Sequence, residues 1–271
     1  VRLNGQPLLT LQNSTFSMGQ YGVYSYNTTL GTKPAPLDCQ FLDCTTGMYN
    51  YDKGINALGC SFNACDDGLV CEQMAQTSML TDCTAQNNTG TGVRVQGSSV
   101  LGVLNPAFDH NTIGLDVGGA TAAVACGSVS HNDQYGFFIH DGATLRMDID
   151  LSGPHDPVTA VQNGHSIFCD QANNVYLDQG FNSLKPVVTG QQNTLYGTFL
   201  CQPYNANQLA RSNNWNGSVG VPLTPADYAI TACNGNLTFV DPSSSAETVC
   251  DDDNHLQQPG GAEQAGAMAP A

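Results

Sequence analysis

Charge is scarce in this chain, and positive charge scarcest of all. Of 271 residues only 11% are charged, and seven Lys plus Arg stand against 23 acidic residues, for a net charge of −16. Nucleic acid requires a basic footprint, so that class of partner is excluded. The single-sign surface repels polyanions such as pectate or alginate unless divalent cations bridge them; no cofactor is expected, with calcium the one possibility left open. Otherwise the acidity reads as a solvated surface. No apolar run reaches the roughly 18 residues that a membrane-crossing helix needs.

Signatures of chemistry are missing too. There is no phosphate-binding loop, no Ser-His-Asp signal and no zinc-protease helix motif. Without a Cys-x-x-Cys pair, zinc is a poor reading of the cysteines, and no metal site is assigned. The acidic run Asp251-Asp252-Asp253 lacks the spaced ligands and glycine of a calcium loop. Trp occurs once, as Trp215 in the polar stretch Asn213-Asn214-Trp215-Asn216, where it reads as packing over a solenoid end ahead of a sugar platform. With neither Met nor a leader ahead of Val1, the chain is expected to be a processed mature form or an excised fragment.

What is present is a beat. Gly92, Gly114 and Gly136 each open a short apolar strand, 22 residues apart twice running, and Gly22, Gly47 and Gly68 are earlier echoes at spacings of 25, 21 and 24. A second strand follows a small-residue turn, as in Gly119-Ala120-Thr121-Ala122 and Gly142-Ala143-Thr144-Leu145. Alternation puts Ala122, Val124 and Cys126, then Leu145, Met147 and Ile149, on one inner face. A third element ends in Asn, at Asn88, Asn111 and Asn132, whose amides are placed to hydrogen-bond along a column. A period in the twenties with three short strands means a single-stranded, right-handed parallel β-helix of 21–25 residues per coil. Coils fill residues 1–150. After Ser152-Gly153-Pro154 the beat fades, so 151–250 read as further irregular coils or a small appended β region with long loops, and 251–271 as an acidic then Gly/Ala/Pro-rich tail.

On these repeats, together with Gly-Gly-Ala at 118–120 and Phe-x-x-Asn at 108–111, the chain resembles the right-handed parallel β-helix superfamily. That superfamily holds pectate-lyase-like proteins, autotransporter passengers and surface adhesins, and the repeats also look like those of chlamydial polymorphic membrane proteins. The superfamily's glycosidases use clustered Asp with a His and a basic residue, and here Asp66-Asp67 at a coil turn are the catalytic candidates. No Gly-His-Gly or Arg-x-Lys follows them. For a lyase, the best outer-face column is Arg94, Asp116 and Phe138, with Arg146 at or near it. His110 and His131 recur one coil apart, so their imidazoles stack about 5 Å apart and can share a metal. Lacking a carboxylate cluster beyond Asp109 and Asp133, they read as turn histidines.

Eleven cysteines suggest an oxidising compartment. Cys39-x-Phe41-x-x-Cys44 recurs as Cys60-x-Phe62-x-x-Cys65, and neighbouring coils lie about 4.8 Å apart, within disulfide range. Cys39–Cys60 and Cys44–Cys65 are thus disulfide candidates, and an interior ladder of free thiols is the alternative. Sequons at Asn13, Asn27, Asn87, Asn216 and Asn236 are glycosylation candidates on a secreted surface. The expected function is a secreted, non-catalytic structural or adhesive protein. Its partners would be copies of itself, stacked head to tail into filaments, other surface proteins, or carbohydrate. A polysaccharide-active enzyme working on the flank of the helix is the alternative.

Overall fold

The computed structural model describes residues 1–4, 11–26, 34–147, 158–160 and 163–170, and past these only short strand segments as far as Leu237–Thr238. Three parallel sheets make up a right-handed β-solenoid. Sheet A has nine strands, among them Tyr21–Tyr26, Thr46–Tyr51, Asp67–Glu72, Thr91–Gln96, Ile113–Gly118, Tyr135–His140 and His165–Asp170. Sheet B has eight strands, including Val100–Leu104, Thr121–Ala125 and Thr144–Arg146. Sheet C has nine, running from Thr15–Ser17 through Ala107–Asp109 to Asn214–Trp215. Each coil visits A, B and C in turn. Trp215, read from the sequence as a loop residue, therefore stands on a strand, beside Leu195 in the register of sheet C.

The glycine beat has a steric cause. Gly22, Gly47, Gly68, Gly92, Gly114 and Gly136 fall at one register position of sheet A. A Cβ on Gly47 would lie 2.5 Å from the carbonyl oxygen of Gly68, and one on Gly68 equally close to that of Gly92, with Phe62 closing the inner side. No side chain fits between a coil and its successor at that point.

The corners explain the other small and polar residues. Each strand from Gln40–Leu42 to Tyr135–His140 is followed by a residue in the left-handed region, and Thr121–Ala125 and Tyr135–His140 by two. Asp43, Ala64, Asn87, His110 and His131 occupy the corner from C to A, at φ of 51°, 54°, 56°, 54° and 52°. Gly97, Gly119 and Asp141 follow strands of sheet A, and Asp82, Asn105 and Cys126 follow strands of sheet B, all at positive φ. Asn and Asp tolerate this conformation better than other side chains, which accounts for their abundance.

Inside, apolar residues stack in columns. Val23, Met48, Leu69, Val93, Leu115, Phe137 and Ile167 form one, and all are fully buried. Phe16, Phe41 and Phe62 form a ring stack with centroids 5.2 and 4.8 Å apart. Ala122, Val124, Leu145 and Met147 point inward as their alternation requires. Cys126 does not join them. It packs with Leu104 and Ala125 in a separate buried cluster, because the left-handed turn at Cys126 breaks the alternation. Ile149 lies outside the described residues.

At the corner from C to A runs a buried polar column. Asn88 Nδ2 donates to Asn111 Oδ1 (2.8 Å), Asn111 Nδ2 to Asn132 Oδ1 (3.0 Å), and Asn132 Nδ2 to Asn163 Oδ1 (2.9 Å). Each Oδ1 also accepts a backbone N–H from the preceding coil, and each Nδ2 also donates to a carbonyl there. The amide suits the place because it offers donors and an acceptor together, so the corner backbone is satisfied without water.

Candidate functional site

On the outer face of sheet A, register aligns side chains from successive coils. One column reads Arg2, Tyr24, Tyr49, Val70, Arg94, Asp116, Phe138 and Phe168. Flanking it are Tyr21, Thr46, Asp67, Thr91, Ile113 and Tyr135 on one side and Tyr26, Tyr51, Glu72, Gln96, Gly118 and His140 on the other. Alternation sets this composition: inward positions are mostly apolar, with Ser25 and Asn50 as buried polar exceptions, and the intervening residues face out.

A charge network occupies the middle. Arg94 Nη1 donates to Asp67 Oδ2 and its Nε to Asp116 Oδ2, both at 2.9 Å, while Nη2 donates to Thr91 Oγ1. Asp116 is nearly buried, with 7% of its side chain exposed. Its other oxygen lies 2.8 Å from His140 Nε2, and His140 Nδ1 lies 2.8 Å from Asp141. The hydrogen bond to Asp116 raises the pKa of His140 above its usual value, against the opposing effect of partial burial. Asp67 Oδ1 accepts the Thr91 N–H, and Asp66 accepts from the Thr89 hydroxyl.

Aromatic rings stand on both sides of this network. Towards the N-terminal coils Tyr24 stacks on Tyr49 (5.1 Å, 7°) and Tyr26 on Tyr51 (5.1 Å), with Tyr21 edge-on to both Tyr24 and Tyr49. Arg2 lies over Tyr24, and a hollow of about 560 Å³ opens beside Tyr21 and Tyr24. Tyr49 donates to Glu72 (2.6 Å); burial and that carboxylate push its phenol well above the usual range. Towards the C-terminal coils Phe138 stacks on Phe168 (5.3 Å) and His140 (4.5 Å), and Tyr135 on Phe168 (4.8 Å).

A family model for the right-handed β-helix region matches residues 1–153. The chain belongs to the right-handed β-helix family. No curated protein matches it. Among solved structures this β-helix is similar to a double mutant of the periplasmic alginate epimerase AlgG, at 13% identity and a TM-score of 0.34. The alignment covers 77% of this chain and 51% of the other, so the β-helix spans about half the length of that structure.

The residues singled out in the sequence separate into groups. Arg94, Asp116 and Phe138 do form one column. Arg146 is not part of it. It lies on sheet B, in register with Ala123 and Tyr176, because a corner turns the chain between the strand that carries Phe138 and its own. Asp67 joins the network and Asp66 stays outside it. His140 and the tyrosines were missed, although Tyr24/Tyr49 and Tyr26/Tyr51 repeat at the same spacing of 25 as Gly22/Gly47. His110 and His131 stack at 5.1 Å with Asp109 against both.

Cys39, Cys44, Cys60 and Cys65 are free thiols, so neither expected crosslink is present; Cys71 and Cys83 are free as well, whereas Cys126 is disulfide-bonded. The free thiols make a hydrogen-bonded ladder. Cys44 and Cys65 hold the place that Asn88, Asn111 and Asn132 take in later coils, and Cys65 Sγ, like the Asn amide, donates to a carbonyl one coil back, that of Phe41. Of the sequons, Asn13 and Asn87 are exposed, while Asn27, Asn216 and Asn236 lie outside the described residues, as does Asp251-Asp252-Asp253.

Proposed function

We propose that this is a secreted, non-catalytic adhesive β-helix whose outer sheet A face binds an extended, uncharged carbohydrate chain. The observation that carries the reading is the stepped aromatic surface, with Tyr21, Tyr24, Tyr26, Tyr49 and Tyr51 on one side of the charge network and Tyr135, Phe138 and Phe168 on the other. Half-exposed rings offer sugars an apolar platform at little entropic cost, because the stacks already fix them. Coils repeat at about 4.8 Å, close to the rise of a sugar residue in an extended polymer. The network between the platforms holds Asp67, Asp116 and Asp141 against Arg94 and His140, so it offers no net positive field to a uronate polymer.

Affinity electrophoresis through gels containing neutral polysaccharides tests this directly. Retardation is expected for the native chain, and loss of most of it for Tyr49→Ala combined with Phe138→Ala. If no neutral polysaccharide retards the protein, the carbohydrate reading fails and self-association becomes the adhesive mode to pursue.

A catalytic reading has one observation in its favour: Asp67, Asp116, His140 and aromatic rings stand on one face in successive coils. Against it, both oxygens of Asp116 and both nitrogens of His140 are committed to each other and to Arg94 and Asp141, so neither is free to act as a general base. Release of reducing ends or unsaturated products, abolished by Asp67→Ala, would establish it.

A further inference from the structure

We infer that Asp109, His110 and His131 form a binding site for a borderline transition-metal ion, with Zn²⁺ the natural occupant. The site lies at the corner between sheets C and A, away from the outer face of sheet A, and does not depend on the carbohydrate reading. His110 follows the strand Ala107–Asp109, and His131 holds the equivalent position one coil later, both in the left-handed conformation the corner imposes. That shared backbone geometry aims the two imidazoles in parallel, with centroids 5.1 Å apart and planes within 10°.

Asp109 turns a stack into a ligand set. One of its oxygens lies 2.7 Å from His110 Nδ1 and the other 2.8 Å from His131 Nδ1, so a single carboxylate spans two coils. With each Nδ1–H donating to Asp109, the lone pair of each ring falls on Nε2. Both rings face solvent, with 60% and 43% of their side chains exposed. A carboxylate that receives the second N–H of a metal-bound imidazole is the usual support of histidine ligands; it fixes the tautomer and strengthens the donor. Two imidazoles that share one anion suit Zn²⁺, Ni²⁺ or Cu²⁺ and do not suit Ca²⁺ or Mg²⁺, which take oxygen.

The parallel rings must tilt so that their Nε2 lone pairs, which lie in the ring planes, converge on one ion. Zn–N bonds of about 2.0–2.1 Å bring two nitrogens to within roughly 3.4–4.2 Å of each other. Both side chains are exposed enough to make that turn about their own torsions, and water completes the shell. The corner column supplies this pair nowhere else among the described residues, since the equivalent positions in the two preceding coils are Asn87 and Ala64.

Titration of the full chain with Zn²⁺, followed by long-range ¹H–¹⁵N spectra of the imidazoles, tests the site. The expected result is a saturable shift of the Nε2 resonances of His110 and His131 together, with one ion bound. Binding at this site should vanish in His110→Ala and in His131→Ala. It should weaken by about 10- to 100-fold in Asp109→Asn, which keeps the shape and removes the anion. Both histidines are exposed corner residues, so thermal melts of the variants should match the native chain. Zinc affinity unchanged by His110→Ala, or shifts confined to other histidines, would overturn the assignment.

Discussion

Arg94 clasps Asp67 in the preceding coil and Asp116 in the following one, at 2.9 Å each, and so ties three turns of the solenoid together from outside. The guanidinium does this because its planar fork carries donors on three separate nitrogens, which reach Asp67, Asp116 and Thr91 at once, whereas an ammonium offers its donors from a single point. Arg94→Lys should therefore behave as a disruptive change, lowering stability in urea by about 1.5–3 kcal/mol, since it strands the nearly buried Asp116 with one hydrogen bond fewer.

His140 should make stability depend on pH. Its folded-state pKa is raised, chiefly by the hydrogen bond to Asp116, so its contribution is complete below the unfolded value of about 6.5 and disappears as pH rises through the folded value. The difference in unfolding free energy between the native chain and His140→Gln should be largest near pH 6 and shrink above neutrality. Paired denaturation curves across that range measure it. A pH-independent difference would show that His140 acts only by packing against Phe138.

The amide column should be intolerant of truncation. Asn111→Ala removes an acceptor for two groups of Asn88 and a donor to both Ala85 and Asn132, all of them buried. A loss of about 3 kcal/mol or more is expected in chemical denaturation, because several buried polar groups are orphaned at once.

Cys65 and Cys71 should be inert in the folded protein. Burial pushes their thiols up to about 11 and about 12 respectively, which leaves almost no thiolate at neutral pH. Alkylation at pH 8 followed by mass spectrometry should label neither residue in native protein and both in denaturant.

Gly68→Ala should be among the most damaging single changes. The added methyl group would sit 2.5 Å from the Gly92 oxygen and 2.9 Å from Phe62 Cβ, with backbone on one side and a packed ring on the other. Loss of soluble expression, or a fall in melting temperature well beyond that of a surface control, is the outcome to look for.

The scaffold was legible in the sequence for reasons the structure makes plain. Gly22 to Gly114 recur because a carbonyl of the next coil excludes any side chain, and Asn88, Asn111 and Asn132 recur because an amide both gives and receives at that corner. The cysteine repeat was legible as a column, but its chemistry was not, since adjacency permits either a crosslink or a ladder of thiol hydrogen bonds. On the candidate site, alternation separated inside from outside without saying which of three faces an outer residue occupies, and so Arg146 was drawn towards Arg94. His140 escaped notice because it closes its strand, two residues beyond the level of Phe138, beside a column and not in it.

Between Gly22 and Gly136 the coils differ in length, with 25, 21, 24, 22 and 22 residues from one glycine to the next, yet the glycine stack stays in register throughout. In the 24-residue coil from Gly68 the corner from A to B takes residues 73–77, against 97–99 in the 22-residue coil from Gly92, and the axial step is untouched. The solenoid is thus a ruler graduated in coils and not in residues. From Arg2 to Phe168 the outer column climbs seven graduations, a distance of about 34 Å at the usual strand spacing. Lengthening a corner leaves that measure unchanged. Adding or deleting a whole coil moves the two aromatic platforms apart or together by one fixed increment.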